Sequence, residues 1–417
     1  MAMAVLIVLG IVVFFVVFIW SIKRHRDPEL RVECDDSIDD LMPSLAGLSL
    51  NSAVGGNSVE IFENGAFFDT LIDEIDGARK SVHFESFLWK EGKLGQRLAD
   101  ALAARGRAGV AVRILLDATG SKKMGKSVKE ELENAGCKLE KFHRWHIQNI
   151  GVLNERDHRK LAVIDGRVAF AGGHCIVDTW LGDAEDGCVA DISVRLRGPI
   201  VNSVQAAFSE NWVGQTGELF MGGDVFPQQE EAGNVTIHAA FVKPEGSAPA
   251  VKLLHHAAIC CARRRIWIQN PYFIPEPEAI DAFGNAVERG VDVRVLMPST
   301  SGSDNPIVQH AGHRNFEKLM RCGVRLFEYP STLLHQKVMT IDGKWCAIGS
   351  ANFDDRSFET NDELTLAILD EATAGQLDRI FEKYAANSSE IELERWSKRS
   401  WAHKFADNAY YLINEIL

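Results

Sequence analysis

An eight-residue pattern, His-x-Lys-x4-Asp, occurs once in each half of the 417-residue chain and constrains its fold more than any other feature. Its members, copy by copy, are His158, Lys160 and Asp165, then His335, Lys337 and Asp342. Each copy leads after six residues to a small-residue turn, Gly172-Gly173 or Gly349-Ser350. Two imidazoles brought together could divide a two-step displacement between a nucleophile and a general acid, while two lysines beside them would hold the oxygens of a phosphate.

The two copies belong to a duplicated domain rather than to two chance matches. Segments that begin at residues 78, 110 and 135 recur in the same order at residues 262, 291 and 322. Together with the motif histidines, they repeat at offsets of 177 to 187 residues. A nearly constant offset over four segments indicates a tandem repeat of one domain, with a period too long for a solenoid.

Within each repeat, strand patterns alternate with helix patterns. Helices are predicted over residues 94–107 and 278–289, and Gly109 and Gly290 are placed to end them. Short apolar runs rich in β-branched residues precede and follow these helices. Strands that alternate with helices of this length predict an α/β fold with a mostly parallel, helix-flanked sheet in each half.

The motif itself predicts a strand hairpin. Residues 160–164 are apolar, Asp165-Gly166 is a turn signal, and residues 168–171 are apolar again. Side chains two apart on a strand share a face, so His158 and Lys160 are predicted to point to the same side. That is the geometry a shared phosphate needs.

The N-terminus predicts a membrane anchor. Residues 1–22 carry no charged side chain, and about 20 apolar residues suffice to span a bilayer. A cleaved signal peptide would have positive charge before the apolar run and a small-residue cleavage site after it, and both are missing. Residues 23–57 are predicted to be a basic flank and linker, which places the rest of a single-pass inner-membrane protein in the cytoplasm. The eight cysteines form no CxxC pair, which favours reduced thiols there.

Two further segments lie outside the repeats. Residues 214–234 are predicted to link a first domain of residues 58–213 to a second of residues 235–388. Residues 389–417 predict a C-terminal amphipathic helix, which either packs on the domains or lies in the lipid interface. The apolar side chains that share one face of this helix are Trp401, Phe405, Leu412 and Ile416.

From Asn57 to about Ser388 the chain resembles the phospholipase D superfamily, and within it the bacterial cardiolipin synthases. The strings that carry the resemblance span residues 157–166, 172–178, 197–201, 270–275 and 349–357. A single His-x-Lys-x4-Asp is weak support, whereas two copies, each with its glycine turn and inside matched repeats, are strong. The resemblance implies two tandem phospholipase D-like α/β sandwich domains related by a pseudo-twofold axis.

The resemblance also implies a mechanism, ping-pong transfer through a phosphohistidine. His158 would be the nucleophile and His335 the general acid and base, although the pseudo-twofold axis leaves the reverse assignment open. The phosphoryl oxygens would be held by residues of both motifs and their turns, namely Lys160, Lys337, Asn352, Ser350 and Gly173. No metal and no cofactor are expected, because the lysines supply the positive charge.

Four acidic residues have predicted roles. The resemblance implies that Asp191 and Glu363 fix the tautomers of the two histidines, while an ordinary surface carboxylate at a strand end is the alternative for both. Asp165 and Asp342 belong to the catalytic signature. Each opens an Asp-Gly turn, however, where the side chain would hydrogen-bond its own backbone, so a structural role is predicted for them.

The first repeat departs from the family pattern at one position. Cys175 stands where the second repeat has Asn352, and cysteine is a poor donor to phosphate. The first half would then hold the phosphate less fully or use His174 instead. The histidines outside the motifs predict ordinary packing or surface positions, although His310 and His313 could line the lipid entrance.

Composition and resemblance together predict the substrate. A nuclease needs a basic face, so a net charge of −13 and an anchor argue against a nucleic-acid partner. The resemblance implies a membrane enzyme that joins two phosphatidylglycerols into cardiolipin and releases glycerol. A phospholipase D-type hydrolase of membrane phospholipids is the alternative, and the intact motifs argue against a silent membrane scaffold. The phosphatidyl acceptor, which is a second phosphatidylglycerol or phosphatidylethanolamine, and the oligomeric state stay open.

Overall fold

The computed structural model describes residues 7–15, 30, 32, 36–143, 155–242 and 249–411. The helices of the first half are α1 (7–15), α2 (Met42–Leu48), α3 (Ala66–Gly77), α4 (Lys93–Arg107), α5 (Lys126–Asn134) and α6 (Val201–Thr216). Its strands are β1 (Ala53–Glu63), β2 (Ser81–Ser86), β3 (Ala111–Asp117), β4 (Lys138–Phe142), β5 (Lys160–Ile164), β6 (Val168–Gly172) and β7 (Ile192–Arg197).

The second half repeats this order and adds a short C-terminal extension. Its helices are α7 (Ala250–Cys261), α8 (Pro277–Glu288), α9 (Pro306–Arg321), α10 (Glu371–Ala385), α11 (Leu393–Ser397) and α12 (Trp401–Tyr411). Its strands are β8 (Val235–Ala240), β9 (Arg265–Gln269), β10 (Asp292–Pro298), β11 (Arg325–Tyr329), β12 (Val338–Ile341), β13 (Trp345–Gly349), β14 (Thr365–Leu369) and β15 (Ser389–Glu390).

The fifteen strands of the described residues belong to one sheet, in the order β15-β11-β10-β9-β12-β13-β14-β8-β1-β7-β6-β5-β2-β3-β4. Apart from β15, this order is the same from both ends once each strand is replaced by its counterpart in the other repeat. The centre of the sheet is the antiparallel pair of β1 and β8, the first strand of each repeat. The two α/β repeats are therefore related by a pseudo-twofold axis through this pair.

The prediction of a mostly parallel sheet is wrong. Parallel pairing is confined to β2-β3-β4 and to β9-β10-β11, which α4, α5, α8 and α9 connect. The other pairs among the described strands are antiparallel. The physical reason is the way in which consecutive strands are connected. A helical crossover carries the chain back to the end of the sheet where the previous strand began, so the next strand runs parallel to it. A tight turn such as Asp165-Gly166 reverses the chain, so the next strand is antiparallel.

Helices cover both faces of the sheet at the hairpin strands β5 and β6, which are mostly apolar. Every residue of β5 and β6 is buried, as expected for strands without a solvent-facing side. One apolar cluster holds side chains of both repeats, including Phe208 of α6 and Phe381 of α10, each at most 1% exposed. The repeats thus share a core and meet as one unit.

The predicted linker over residues 23–57 is wrong for its second part. Residues 38–40 and α2 are helical, and Leu41, Met42 and Leu45 are buried in the core of the second half. Strand β1 already begins at Ala53. The apolar side chains spaced along α2 explain this difference, because they form a face that α7 and β8 bury. Of the predicted join over residues 214–234, residues 214–216 belong to α6, and residues 217–234 contain no helix or strand.

No helix in the described ranges combines the length and the apolar character that crossing a bilayer requires. Of the predicted anchor, only α1 falls within these ranges, and its apolar side chains are exposed. The remaining residues of the anchor lie outside the described part.

The C-terminal segment from residue 389 is more than the single helix predicted. It begins with β15, which pairs with β11, and continues into α11 and α12. Trp401 and Phe405 of α12 are 80% and 68% exposed, whereas Asp407 is buried against α9. Leu412 and Ile416 lie outside the described residues.

Candidate active site

Both copies of the motif place their histidine just before a hairpin strand. His158 lies two residues before β5, and His335 lies three residues before β12. The backbone N–H of His158 donates to the carbonyl oxygen of Asp362 at 2.9 Å, and that of His335 donates to the carbonyl oxygen of Ala190 at 2.7 Å. Each motif is therefore hydrogen-bonded to a segment of the other repeat.

The side chains cross between the repeats in the same way. Nδ1 of His158 lies 2.9 Å from Oε1 of Glu363, which belongs to the second repeat. Nδ1 of His335 lies 2.7 Å from Oδ2 of Asp191, which belongs to the first. Both carboxylates are at most 2% exposed, so the predicted alternative of an ordinary surface carboxylate is wrong. The crossed pairs bring both motifs to a single site between the repeats.

These pairs determine the protonation of the imidazoles. Burial lowers the pKa of His158 to about 4, against the opposing effect of Glu363. Burial and then Lys337 lower the pKa of His335, against Asp191. Both rings are therefore neutral at pH 7, with the Nδ1 proton donated to the carboxylate. This tautomer leaves the lone pair on Nε2, the atom that would attack phosphorus or take a proton.

Electrostatics keep the two acids ionised. Burial alone would raise the pKa of Glu363, but His158 and Lys160 outweigh it and bring the pKa to about 2. The pKa of Asp191 is likewise held below its usual range, because His335 outweighs the effect of burial.

The motif lysines add buried positive charge beside the histidines. Nζ of Lys160 donates to the carbonyl oxygen of His158 at 2.5 Å, and Nζ of Lys337 donates to that of His335 at 2.7 Å. The lysines are 6% and 4% exposed. Burial and the neighbouring Lys160 lower the pKa of Lys337 to about 8, with Asp191 opposing. Two desolvated ammonium groups favour an anion between them.

The motif aspartates lie at the other end of their strands, so the structure does not bring them to the histidines. Asp165 has φ of 51° and accepts hydrogen bonds from the backbone N–H groups of residues 79–81 at 2.7 to 2.9 Å. Asp342 has φ of 56° and accepts the equivalent bonds from residues 263–265. The two aspartates belong to the catalytic signature, but these contacts give them a structural role and not a catalytic one. Their bonds go to the segment entering the neighbouring strand, not to their own turn as predicted.

The glycine turns support the acids. A Cβ at Gly173 would lie 2.1 Å from Oδ1 of Asp191, so only glycine lets the carboxylate approach, and its N–H donates to the carbonyl oxygen of Ile192. The hydroxyl of Ser350, at the equivalent place, donates to Glu363. Both groups have protein partners, which corrects the prediction that they bind phosphate.

Asn352 and Cys175 occupy equivalent positions with different surroundings. Asn352 is 7% exposed, and its Oδ1 makes no hydrogen bond within the described structure. Cys175 is 2% exposed, and burial raises its pKa to about 11, so it is a neutral thiol. The suggestion that His174 replaces the missing asparagine is wrong. Its Nδ1 lies 2.8 Å from the hydroxyl of Ser193, and its Nε2 lies 2.8 Å from the carbonyl oxygen of Asn64.

A cavity of about 210 Å³ opens over His158. The other residues that line it are Phe87, Arg156, Tyr272, Ile274, Asn305, Val308, Asn352, Asp354, Arg356, Ser357 and Asn361. A larger groove, of about 680 Å³, contains neither motif histidine and shares Arg156 with this cavity. We take the smaller cavity as the catalytic cleft, because His158 and Asn352 line it.

Arg156 and Arg356 are candidate functional residues that sequence reasoning missed. Arg156 stands two residues before His158, and Arg356 begins a π-helical turn of residues 356–360. Burial and the proximity of Arg156 lower the pKa of Arg356, so the two guanidinium groups are close enough to repel. Arg156 directly precedes the first motif string and Arg356 lies within residues 349–357, but this proximity in sequence does not by itself indicate a binding role.

The comparisons with known proteins agree with this geometry. The family model described as "Cardiolipin synthase, PLD-like domain" matches residues 71–212 and 256–385, one stretch in each repeat. Cardiolipin synthase 2 of Bacillus anthracis is 34% identical over 404 residues, which cover 95% of this chain and 78% of that protein. The cardiolipin synthase of Staphylococcus aureus strain Mu50 is 32% identical, covering 87% and 74%.

A solved structure supports the fold alone. Phosphatidylserine synthase of Haemophilus influenzae Rd KW20 superposes with a TM-score of 0.65 at 13% identity, covering 86% of this chain and 95% of that one. Two phospholipase D-like repeats sharing a paired histidine site define the class of protein. The chain belongs to the cardiolipin synthase family, and it is a phospholipid phosphatidyltransferase.

Proposed function

We propose that this enzyme makes cardiolipin from two molecules of phosphatidylglycerol by two displacements at one phosphorus. The observation that carries the proposal is the crossed pairing of His158 with Glu363 and of His335 with Asp191. It supplies two imidazoles with the same tautomer to one site, together with the cations that a phosphodiester requires.

In the first displacement, Nε2 of His158 attacks the phosphorus of the donor lipid. The P–N bond forms as the P–O bond to glycerol breaks, and His335 in its protonated form gives its proton to the leaving oxygen. Burial disfavours that protonated form, and an arriving phosphodiester anion favours it. In the second displacement, neutral His335 takes the proton from a hydroxyl of the acceptor, the new P–O bond forms, and the P–N bond breaks.

The assignment of His158 as nucleophile is supported by the cleft. His158 lines the cavity and His335 is absent from its lining among the described residues. Lys160, Lys337 and Asn352 would hold the phosphoryl oxygens, where charge-assisted hydrogen bonds stabilise the charge that redistributes in the transition state.

A second pair of cations supports transfer to a lipid over transfer to water. The acceptor phosphatidylglycerol carries its own phosphate, and cardiolipin joins the two phosphates through one glycerol. Arg156 and Arg356 line the same cleft as His158 and would hold this second phosphate. Water has no charge for them to bind, so the hydrolase is the less favoured candidate.

We also propose that residues 1–22 anchor the enzyme in the inner membrane, with the two domains in the cytoplasm. Support comes from the uncharged apolar run and the basic residues that follow it. A C-terminal reporter that is active only in the cytoplasm tests the orientation, and removal of residues 1–22 tests the anchor by fractionation. A truncated protein that still sediments with membranes after a high-salt wash would contradict the anchor.

One assay tests the reaction. The purified enzyme is incubated with labelled phosphatidylglycerol in detergent, and the lipids and the water-soluble products are separated. Cardiolipin and free glycerol in equal amounts support the proposal. Phosphatidic acid as the main product would overturn it in favour of hydrolysis, and His158→Asn provides the blank.

A further inference from the structure

Three side chains capable of binding a metal meet where α9 contacts the C-terminal helix α12. His310 and His313 lie three residues apart on one face of α9, and Asp407 of α12 lies opposite them. Oδ1 of Asp407 is 3.0 Å from Nδ1 of His310 and 3.9 Å from Nδ1 of His313. One ligand atom from each of the three residues lies within 4.8 Å of the others.

His313 is the anomaly in this cluster. It is 5% exposed, and neither of its ring nitrogens makes a hydrogen bond in the described part of the chain. Leaving a buried polar group unsatisfied costs about 1–3 kcal/mol. Other buried histidines avoid this cost, since both nitrogens of His83 and of His174 have partners. The two ring nitrogens of His313 therefore indicate that a group from outside the protein binds there.

We propose that His310, His313 and Asp407 form a binding site for a divalent transition metal ion of the Zn²⁺ type. Two imidazoles and one carboxylate are a donor set that such ions prefer, at bond lengths of about 2.0–2.2 Å. Ligand atoms around a tetrahedral ion with these bonds lie roughly 3.3 Å apart. The two separations from Asp407, 3.0 and 3.9 Å, are close to that value, and the histidine ligand atoms lie within 4.8 Å of each other, so side-chain adjustments of about 1 Å complete the site.

The residues around the cluster fit this role. Arg399 contacts Oδ2 of Asp407 at 2.9 Å, which holds the carboxylate with Oδ1 towards the histidines. Oδ1 is hydrogen-bonded to Nδ1 of His310 at 3.0 Å, and the ion would replace the proton of that bond. With Nδ1 of His313 on the ion, its Nε2–H faces Oε1 of Glu328, 4.0 Å away. The side chain of His310 is 26% exposed and provides the open side, where water fills the fourth position.

The proposed metal site joins α9 to α12, and its three residues do not line the catalytic cleft. Asn305, the N-cap of α9, and Val308 of its first turn line the catalytic cleft, whereas the cluster lies farther along the helix. The bound ion fixes α12, with the exposed Trp401 and Phe405, against the helix that borders the cleft.

Metal binding to the full-length, untagged enzyme in detergent tests the proposal. The protein is stripped with a chelator, and Zn²⁺ or Co²⁺ is titrated with elemental analysis and visible absorption. We expect one equivalent of Zn²⁺ and the absorption of four-coordinate Co²⁺. His310→Gln and His313→Gln should each weaken Zn²⁺ binding at least tenfold. His403→Gln is the matched control, because that exposed histidine of α12 bonds only to Ser400 among the described residues and should change nothing.

Two results would overturn the proposal. The stripped wild type binds no equivalent of Zn²⁺, or His310→Gln binds Zn²⁺ as tightly as the wild type does. His310 is partly exposed, so that variant stays informative even if His313→Gln misfolds, and circular dichroism checks both. A second readout is proteolysis after residue 390: Zn²⁺ should slow it several-fold in the wild type and not in His310→Gln. Phosphoenzyme formation should persist in the metal-free protein, because no step of the reaction uses the ion.

Discussion

At the scale of single residues, the two imidazoles start from similar environments but are proposed to do different work. Each is buried, each donates Nδ1–H to a carboxylate of the other repeat, and each is followed two residues later in the chain by a lysine. Symmetry of structure does not require symmetry of function, because the donor lipid presents its phosphorus to one histidine and its leaving oxygen to the other. Variants of the two histidines should therefore differ.

If His158 is the nucleophile, His335→Asn should still be attacked into a phosphoenzyme by a nitrophenyl donor, whose leaving group needs no proton. The phosphoenzyme should accumulate, because the acceptor loses its base. Turnover of phosphatidylglycerol should fall by about 10²–10⁴-fold. Acid-quenched labelling checks this, and His158→Asn should give no labelled protein. Label on His335 in the His158 variant would reverse the assignment.

The acids provide a matched pair of variants. Glu363→Gln should slow formation of the phosphoenzyme by about 100-fold or more with every donor, because the tautomer and orientation of His158 are lost. Asp191→Asn acts on His335 and should slow turnover of phosphatidylglycerol while sparing attack on a nitrophenyl donor. Single-turnover kinetics with both donors distinguish these effects, and equal behaviour of the two variants would argue against the crossed roles.

Arg356 offers a test of the acceptor. Arg356→Gln should lower the ratio of cardiolipin to phosphatidic acid several-fold, because the second phosphate loses a cation while attack by His158 continues. The products of labelled phosphatidylglycerol give this ratio directly. Arg97→Gln removes an exposed arginine that pairs with Asp69 and serves as the control. An unchanged ratio with a lower overall rate would place Arg356 in donor binding instead.

At the scale of elements, the motif aspartates hold strands together. Asp165 ties the segment entering β2 to the turn after β5 through three backbone N–H donors. Asp165→Asn should lower the free energy of unfolding by about 1–3 kcal/mol, because it replaces one acceptor oxygen with an NH₂ group that would face backbone N–H donors. Its kcat should stay within about twofold of the wild type. Urea unfolding and steady-state assays check this against Asp69→Asn, an exposed control.

The sequence predicts local elements well and connections poorly. Helices predicted over residues 94–107 and 278–289 occur as Lys93–Arg107 and Pro277–Glu288, because their apolar spacing and glycine ends are local signals. The antiparallel sheet was missed, because strand direction depends on every connection together. The helix α2 was missed because its partner, α7, lies some 200 residues away.

The same limit applies to the site. The motifs indicate which histidines, lysines and acids to consider, since each is a residue type in a recognisable string. They do not indicate that the acid of one repeat serves the histidine of the other, because separations of 205 and 144 residues are closed only by the packed pseudo-twofold arrangement. Arg156 and Arg356 become candidates only once they line one cavity.

At the scale of the whole molecule, buried neutral histidines should contribute stability that is lost in acid, whereas Glu85 and Glu276, whose pKa values burial raises to about 7 and about 9, act in the opposite direction. Burial lowers the pKa of His83, His158 and His255 to about 4 in the folded state. Their unfolded pKa is near 6.5, so between pH 6.5 and 4 the unfolded chain binds more protons, and stability falls as the pH falls. Above pH 6.5 these groups contribute no slope.

Urea unfolding of the enzyme in detergent at pH 7.5, 6.5, 5.5 and 4.5 checks this. The test is the difference between the wild type and His255→Phe, because His255 packs against Phe353 and Phe358 and a phenyl ring keeps those contacts without a proton site. Between pH 6.5 and 4.5 the free energy of unfolding of the wild type should fall relative to that of His255→Phe, and above pH 6.5 the difference should stay constant. A difference that is the same at pH 5 and pH 7 would refute the expectation.

The crossed histidine pairs also govern when the enzyme becomes active during its synthesis. Glu363 leaves the ribosome 205 residues after His158, roughly 10 to 40 s later at ordinary rates of translation. Until then His158 has no carboxylate partner, and until residue 335 has emerged Asp191 has no histidine partner. A nascent chain, or one released early by a premature stop, should therefore be unable to cleave a phospholipid.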